Sequence, residues 1–78
     1  MFETIKRASE YLQYLDANGE WDSLPGCVSY GEYTEQEAIN ILLDGLNTLK
    51  ADIVEPLNMK SRAQYIGITR FINALQEV

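Results

Sequence analysis

The N-terminal part of the chain repeats apolar side chains with the period of an α-helix. Steps of three and four residues place these side chains on one face, at Ile5, Ala8, Leu12 and Leu15. The pattern predicts a helix over about 3–17. Asn18-Gly19 supplies the stop, because both residue types tolerate the left-handed conformation that commonly follows a last helical turn.

The clearest helix start lies in the middle of the chain. Thr34 and Glu37 have the spacing of a capping box, in which each side chain accepts a hydrogen bond from the other residue's backbone N–H. We predict a helix over about 35–54, ended by Glu55-Pro56. Its apolar residues cover more than one face, which indicates a central position or contact with a second subunit. Gly45 costs a helix about 1 kcal/mol relative to alanine, so we expect another backbone to cross closely there.

A third helical pattern runs over about 58–77. Its stripe consists of Leu57, Ser61, Gln64, Tyr65, Ile68, Ile72 and Leu75. Ser61 to Gln64 offers a second capping box, so a start there stays open beside a start near Leu57. The three patterns together predict an all-α fold, a small three-helix bundle that forms one domain over 1–78.

Residues 18–33, between the first two predicted helices, follow neither a helical nor a strand period. They contain Gly19, Pro25, Gly26 and Gly31, and we predict a long irregular loop with a turn at Pro25-Gly26. A short strand over Cys27 to Tyr33 would have no partner strand, so no sheet is expected. Connections of this length are often functional in compact domains.

Charge is distributed unevenly along a chain whose net charge is −6. Ala8 to Leu49 contains eight carboxylates and no Lys or Arg, whereas Pro56 to Gln76 contains three cations and no carboxylate. The cationic part either neutralises the acidic part or leaves it free to attract a basic partner, and the sequence keeps both open. Direct nucleic-acid binding is disfavoured, because an acidic surface repels phosphates.

The residue inventory leaves little for catalysis or metal binding. The chain has no histidine and one cysteine, Cys27, which excludes a Cys/His zinc site and a Cys–His nucleophile. An alternation typical of calcium ligands exists, but the loop's glycine and closing glutamate are misplaced; its members are Asp16, Asn18, Glu20 and Asp22. A chain this short rarely encloses a substrate pocket. We therefore predict no enzyme activity, no metal and no cofactor.

Features that would direct the chain to a membrane or to secretion are missing from the sequence pattern. The N-terminal stretch carries charges where a secretion signal needs an apolar run, and no apolar run approaches the roughly 20 residues that span a bilayer. One cysteine forms no internal disulfide, which suits a reducing compartment. We expect a cytoplasmic protein without a membrane partner.

A short segment of the predicted loop resembles a known motif. Asp22-Ser23-Leu24 is similar to the phosphopantetheine attachment motif of acyl carrier proteins, which are also small and acidic. In that family the serine opens a helix, whereas Pro25-Gly26 here indicates a turn. The resemblance covers three residues and implies a carrier loaded on Ser23, which we keep as a third hypothesis.

The leading hypothesis is a non-catalytic acidic module that binds a basic protein, possible targets including nucleic-acid-binding proteins. Carboxylates interleaved with aromatic rings suit Arg- and Lys-rich surfaces, and the predicted binding residues are Glu20, Trp21, Asp22, Tyr30, Glu32, Tyr33, Glu35 and Glu37. In composition the chain resembles small phage and mobile-element inhibitors, some of which act as nucleic-acid mimics, and immunity proteins. The alternative function is a homo-oligomeric structural subunit, for which we predict a homodimer. A separate alternative concerns Trp21, whose side chain would cover the core instead of binding a partner.

Overall fold

The computed structural model describes residues 2–53 and 58–77, and every regular element in these ranges is helical. The helices are α1 (Phe2–Leu15), α2 (Leu24–Ser29), α3 (Glu35–Asp52) and α4 (Met59–Gln76), with a 3₁₀ turn at Trp21–Ser23. The all-α prediction is confirmed, and the three long helices are those predicted. The segment between the first two is different, because it contains a fourth helix and the 3₁₀ turn.

The core lies between α1, α3 and α4, which contact one another in all three pairs. Its buried apolar residues are Ile5, Ala8, Leu12, Leu24, Ala38, Ile39, Leu42, Leu46, Ile68, Ile72 and Leu75. The last turns of α1 and α3 meet the first half of α4 around one cavity. Hence α1 and α3 run parallel to each other, and α4 runs antiparallel to both. The connection between α1 and α3, residues 16–34, has to travel back along the bundle, and we call it the crossover segment.

Local hydrogen bonds explain why the crossover segment is helical where a loop is predicted. The Ser23 hydroxyl donates to the Glu20 carbonyl oxygen over 2.7 Å, and Leu24 is buried against the core. Pro25 lies in the first turn of α2, where a missing backbone N–H is not needed. The predicted Pro25-Gly26 turn is therefore wrong, and so is a strand from Cys27.

The end of α2 is a Schellman motif, the closing arrangement in which two backbone N–H groups reach back into the last turn. Gly31 adopts a φ of 81°, and its N–H donates to the Val28 carbonyl over 3.1 Å. The Glu32 N–H donates to the Cys27 carbonyl over 2.8 Å. Only glycine adopts this backbone conformation without strain, so Gly31 fixes where the helix stops.

The start of α3 has the predicted capping chemistry, whereas α4 begins with a different cap. The Glu37 N–H donates to the Thr34 hydroxyl over 3.1 Å, and the Thr34 N–H donates to the Glu37 carboxylate over 3.2 Å, which confirms the capping box. Asn58 caps α4 by accepting from the Ser61 N–H over 2.8 Å. This cap sets the start at Met59, so the alternative box at Ser61 is not used.

One predicted helix end differs from the structure, and the signal predicted for a second is not described. Helix α1 ends at Leu15, and neither Asn18 nor Gly19 has a positive φ, so the predicted left-handed stop is wrong. Instead the Asp16 carboxylate accepts from the Asn18 N–H over 3.3 Å. Helix α3 ends at Asp52, and the predicted stop at Glu55-Pro56 lies outside the described residues. Within the described ranges, no helix combines the length and apolarity that crossing a membrane requires.

Candidate protein-interaction site

The predicted binding residues occupy the crossover segment and the first turn of α3, and all but Trp21 are exposed. The exposed set is Glu20, Asp22, Tyr30, Glu32, Tyr33, Glu35 and Glu37. Tyr30 is 86% exposed, whereas Tyr33 is 37% exposed. Tyr33 therefore already rests partly against the protein, while Tyr30 projects into solvent.

Trp21 is held in a slot that two glycines leave open. A Cβ placed at Gly45 would lie 2.6 Å from the indole Cη2, and one at Gly19 would lie 2.1 Å from Nε1. The predicted close approach at Gly45 is therefore made by the indole ring and not by another backbone. The Trp21 backbone N–H donates to the Gln13 side-chain oxygen over 3.2 Å. Its indole N–H is buried without an acceptor in the described part of the chain.

A groove of about 320 Å³ opens between the crossover segment and α3. It brings together three predicted residues, Glu20, Trp21 and Tyr33, and leaves the other predicted residues outside. Ser23, Leu24, Cys27 and Ile41 complete its lining. None of these four was predicted as a partner-binding residue; the signal for Ile41 was that the apolar residues of its helix cover more than one face. We call this site the Trp21–Tyr33 groove.

The charges around the groove are not neutralised by α4. Among the described residues the single ion pair joins Arg7 and Glu3, whose Nε and Oε1 atoms are 3.6 Å apart within α1. No described cation of α4 pairs with a carboxylate of the crossover segment. Of the two arrangements left open by the sequence, the described part of the chain has the acidic surface facing solvent.

Cys27 supplies a thiol to the groove. Burial raises the pKa of its thiol, and the neighbouring Glu32 raises it further. A thiol with a raised pKa is mostly protonated at neutral pH, so it is a weak nucleophile there. In the groove Cys27 serves as a neutral wall.

Two other predicted features can be placed. The four oxygen-bearing residues compared with a calcium loop do not converge, since no group of three His, Cys, Asp or Glu side chains in the described ranges could hold a metal. Ser23 directly precedes α2, as the carrier motif implies, although that helix has six residues.

A second cavity of about 330 Å³ lies where α1, α3 and the first half of α4 meet. Among the described residues, Asp52 is the one charged residue that lines it, and none of the described lining residues is aromatic. It therefore lacks the combination of carboxylate and aromatic rings that distinguishes the Trp21–Tyr33 groove.

In comparisons with known proteins, no family model, curated protein or solved structure matches the chain.

Proposed function

We propose that this chain is a non-catalytic binding module whose acidic crossover surface captures a basic partner protein, as a small inhibitor or regulator would. The observation that carries the proposal is the position of the carboxylates. Asp22, Glu32 and Glu35 are exposed and take part in no ion pair within the described residues. Each lies within two residues in sequence of a residue that lines the Trp21–Tyr33 groove, and a guanidinium or ammonium group gains most from carboxylates and aromatic rings in one place.

The physical reason for a basic partner is electrostatic steering. Unpaired like charges on one surface accelerate encounter with an oppositely charged surface and disfavour partners of the same sign. A nucleic-acid-binding protein is a natural target, because its cleft binds negatively charged phosphates next to planar bases. The chain would then act as a nucleic-acid mimic, without binding nucleic acid itself.

The test is affinity capture from the native cell followed by mass spectrometry, with two charge-matched double variants. Asp22→Asn with Glu35→Gln removes two exposed charges from the predicted binding set, one in the crossover segment and one in the first turn of α3. Glu10→Gln with Asp44→Asn removes two exposed charges outside that set. We expect a basic protein that the wild type and the second variant capture and the first variant does not. Capture should also weaken as salt shortens the screening length from about 10 Å at 0.1 M to about 3 Å at 1 M. Equal capture by both variants, or capture that ignores salt, would refute the proposal.

A second candidate function, a homo-oligomeric subunit, is favoured by the outer face of α4. Met59 is 90% exposed and Ile66 is 45% exposed, and Arg62 and Arg70 share their side of the helix. The apolar residues on several faces of α3 first suggested a dimer. In the structure α3 is contacted by α1, α2 and α4 of the same chain, so these faces have partners without a second subunit. Light scattering at micromolar concentration tests the dimer: Met59→Gln with Ile66→Gln should then yield a mass of one chain. A wild-type mass of one chain, unchanged on dilution, excludes it.

The carrier hypothesis has its own measurement. The intact mass of the protein isolated from its host would exceed the mass of the bare chain, 8.9 kDa, by one prosthetic group on Ser23. Ser23→Ala should abolish that increment. A host-isolated protein at the bare mass argues against a carrier.

A further inference from the structure

We propose that the Trp21–Tyr33 groove binds the side chain of one arginine of the partner, an inference that rests on the proposed function. The groove supplies three features that a guanidinium group needs at once: a free carboxylate, aromatic surface and an apolar floor.

The size of the groove suits one side chain. Sites for drug-sized ligands enclose about 300–1,000 Å³, and this groove, at about 320 Å³, is at the lower end of that range. An extended polar peptide would not enter it, whereas one long side chain inserted from a partner surface fits its dimensions. The groove therefore acts as a socket for an anchor residue and not as a peptide channel.

The lining of the groove favours arginine over lysine. Glu20 lines it, is exposed and has no described ion-pair partner, so its carboxylate is free to accept two parallel N–H bonds. Trp21 and Tyr33 supply ring surface on which a planar guanidinium can stack. An ammonium group is more strongly hydrated and loses more on leaving water for walls such as Leu24 and Ile41. Lysine should accordingly bind more weakly at the same net charge.

The walls of the groove are fixed in advance. Trp21 is held in the slot at Gly19 and Gly45, and the Tyr33 N–H donates to the Cys27 carbonyl over 3.3 Å. Tyr33 also lies between the Schellman motif at Gly31 and the helix cap at Thr34, so its backbone is restrained on both sides. Little conformational freedom is left to lose on binding, which favours recognition of a small group.

The test uses N-acetyl-arginine amide as the probe and the indole N–H signal of Trp21 in a ¹⁵N–¹H correlation spectrum as the readout. Trp21 is the single tryptophan, so that signal needs no assignment. We expect a saturable shift with a dissociation constant on the order of 1 mM, as for other ligands of about 15 heavy atoms. N-acetyl-lysine amide should bind about tenfold more weakly, and the neutral citrulline analogue should not shift the signal.

Matched variants locate the site. Glu20→Gln and Tyr33→Leu should each weaken arginine binding roughly tenfold, by loss of the charged acceptor and of the ring. Glu10→Gln and Tyr14→Leu change an exposed carboxylate and a 79% exposed tyrosine on α1 and should leave binding unchanged. Far-ultraviolet circular dichroism confirms that each variant keeps its helices.

Several results would overturn the arginine socket. These are no saturable shift, equal binding of arginine and lysine, tighter binding of a trimethyl-lysine analogue, or equal loss in the α1 controls. Partner capture that depends on Asp22 and Glu35 without an arginine-specific shift would remove this inference and leave the proposed function. An arginine-specific shift together with charge-independent capture would leave the arginine socket and refute capture of a partner through the acidic surface.

Discussion

Replacing Gly45 with alanine sets two opposing effects against each other at one position. Alanine is favoured over glycine inside a helix by about 1 kcal/mol. The new methyl carbon, however, would lie 2.6 Å from Cη2 and 3.0 Å from Cζ3 of Trp21, well inside van der Waals contact. Because the indole is wedged against Gly19 on its other side, it cannot move away without leaving its slot.

The magnitude follows from these two terms. Overpacking a filled site costs about 1–3 kcal/mol, which exceeds the helix-propensity gain. We expect Gly45→Ala to lower the free energy of unfolding by about 1 kcal/mol net. For a domain of this size that corresponds to a decrease in melting temperature of roughly 4–8 °C.

Chemical denaturation followed by circular dichroism measures the effect, and the chain offers a matched control. Gly26 also lies in a helix, and a Cβ there would meet nothing within 4 Å. Gly26→Ala should therefore stabilise the protein by about 0.5–1 kcal/mol. A second control removes the obstacle: in a Trp21→Leu background, Gly45→Ala should become stabilising. If Gly45→Ala stabilises the wild type as much as Gly26→Ala does, the Trp21 indole does not lie against Gly45.

Three further perturbations probe the fold and the groove. Thr34→Ala removes the hydroxyl that accepts from the Glu37 N–H and should cost about 1 kcal/mol in urea unfolding; an unchanged midpoint would mean that the cap contributes nothing. Gly67→Ala places a methyl carbon 2.3 Å from the Tyr11 hydroxyl and should destabilise by about 1 kcal/mol in the same assay, whereas a gain would show that Tyr11 yields freely. Cys27 should react slowly with iodoacetamide at pH 7, because burial and then Glu32 raise its pKa; Glu32→Gln should speed the reaction, and an equal rate would contradict the contribution of Glu32.

The start of α3 is predictable from this sequence because its signal is local. Thr34 and Glu37 are three residues apart and satisfy each other's backbone N–H groups without help from the rest of the fold. The core stripe of α1 is predictable for a similar reason, since a periodic pattern fixes the buried face whatever the partner is. Ile5, Ala8 and Leu12 are all fully buried, as their spacing indicates.

The short helix α2 could not be predicted in the same way. Six residues are too few to establish a helical period, and Pro25-Gly26 is a common turn pair. What favours the helix is distant in sequence: Leu24 packs into a core built by the long helices. Gly31 was a usable signal for the helix end, but only once a helix before it is assumed.

The groove is the least predictable feature, because its walls come from separate segments. Ile41 belongs to α3, while Leu24 and Cys27 belong to α2. The sequence places Ile41 on a helix whose apolar residues cover more than one face, without indicating what covers it. Charge and aromatic content indicated this part of the chain, and the packing of α2 on α3 brings Glu20, Trp21 and Tyr33 of the predicted set together in the groove.

Trp21 packs against the core, and the proposed function would use the same side chain for binding. One edge of the indole is wedged between Gly19 and Gly45, and the ring also lines the groove. Trp21→Ala should therefore remove packing and a binding wall together, lowering the free energy of unfolding by about 3 kcal/mol along with partner capture. Tyr33→Leu should lower capture while changing stability by no more than about 0.5 kcal/mol, as is usual for exposed positions. Thermal melts beside capture assays separate the two: a Trp21→Ala protein with an unchanged melting temperature would contradict the wedged indole, and a Tyr33→Leu protein that captures normally would show that the groove is not the contact.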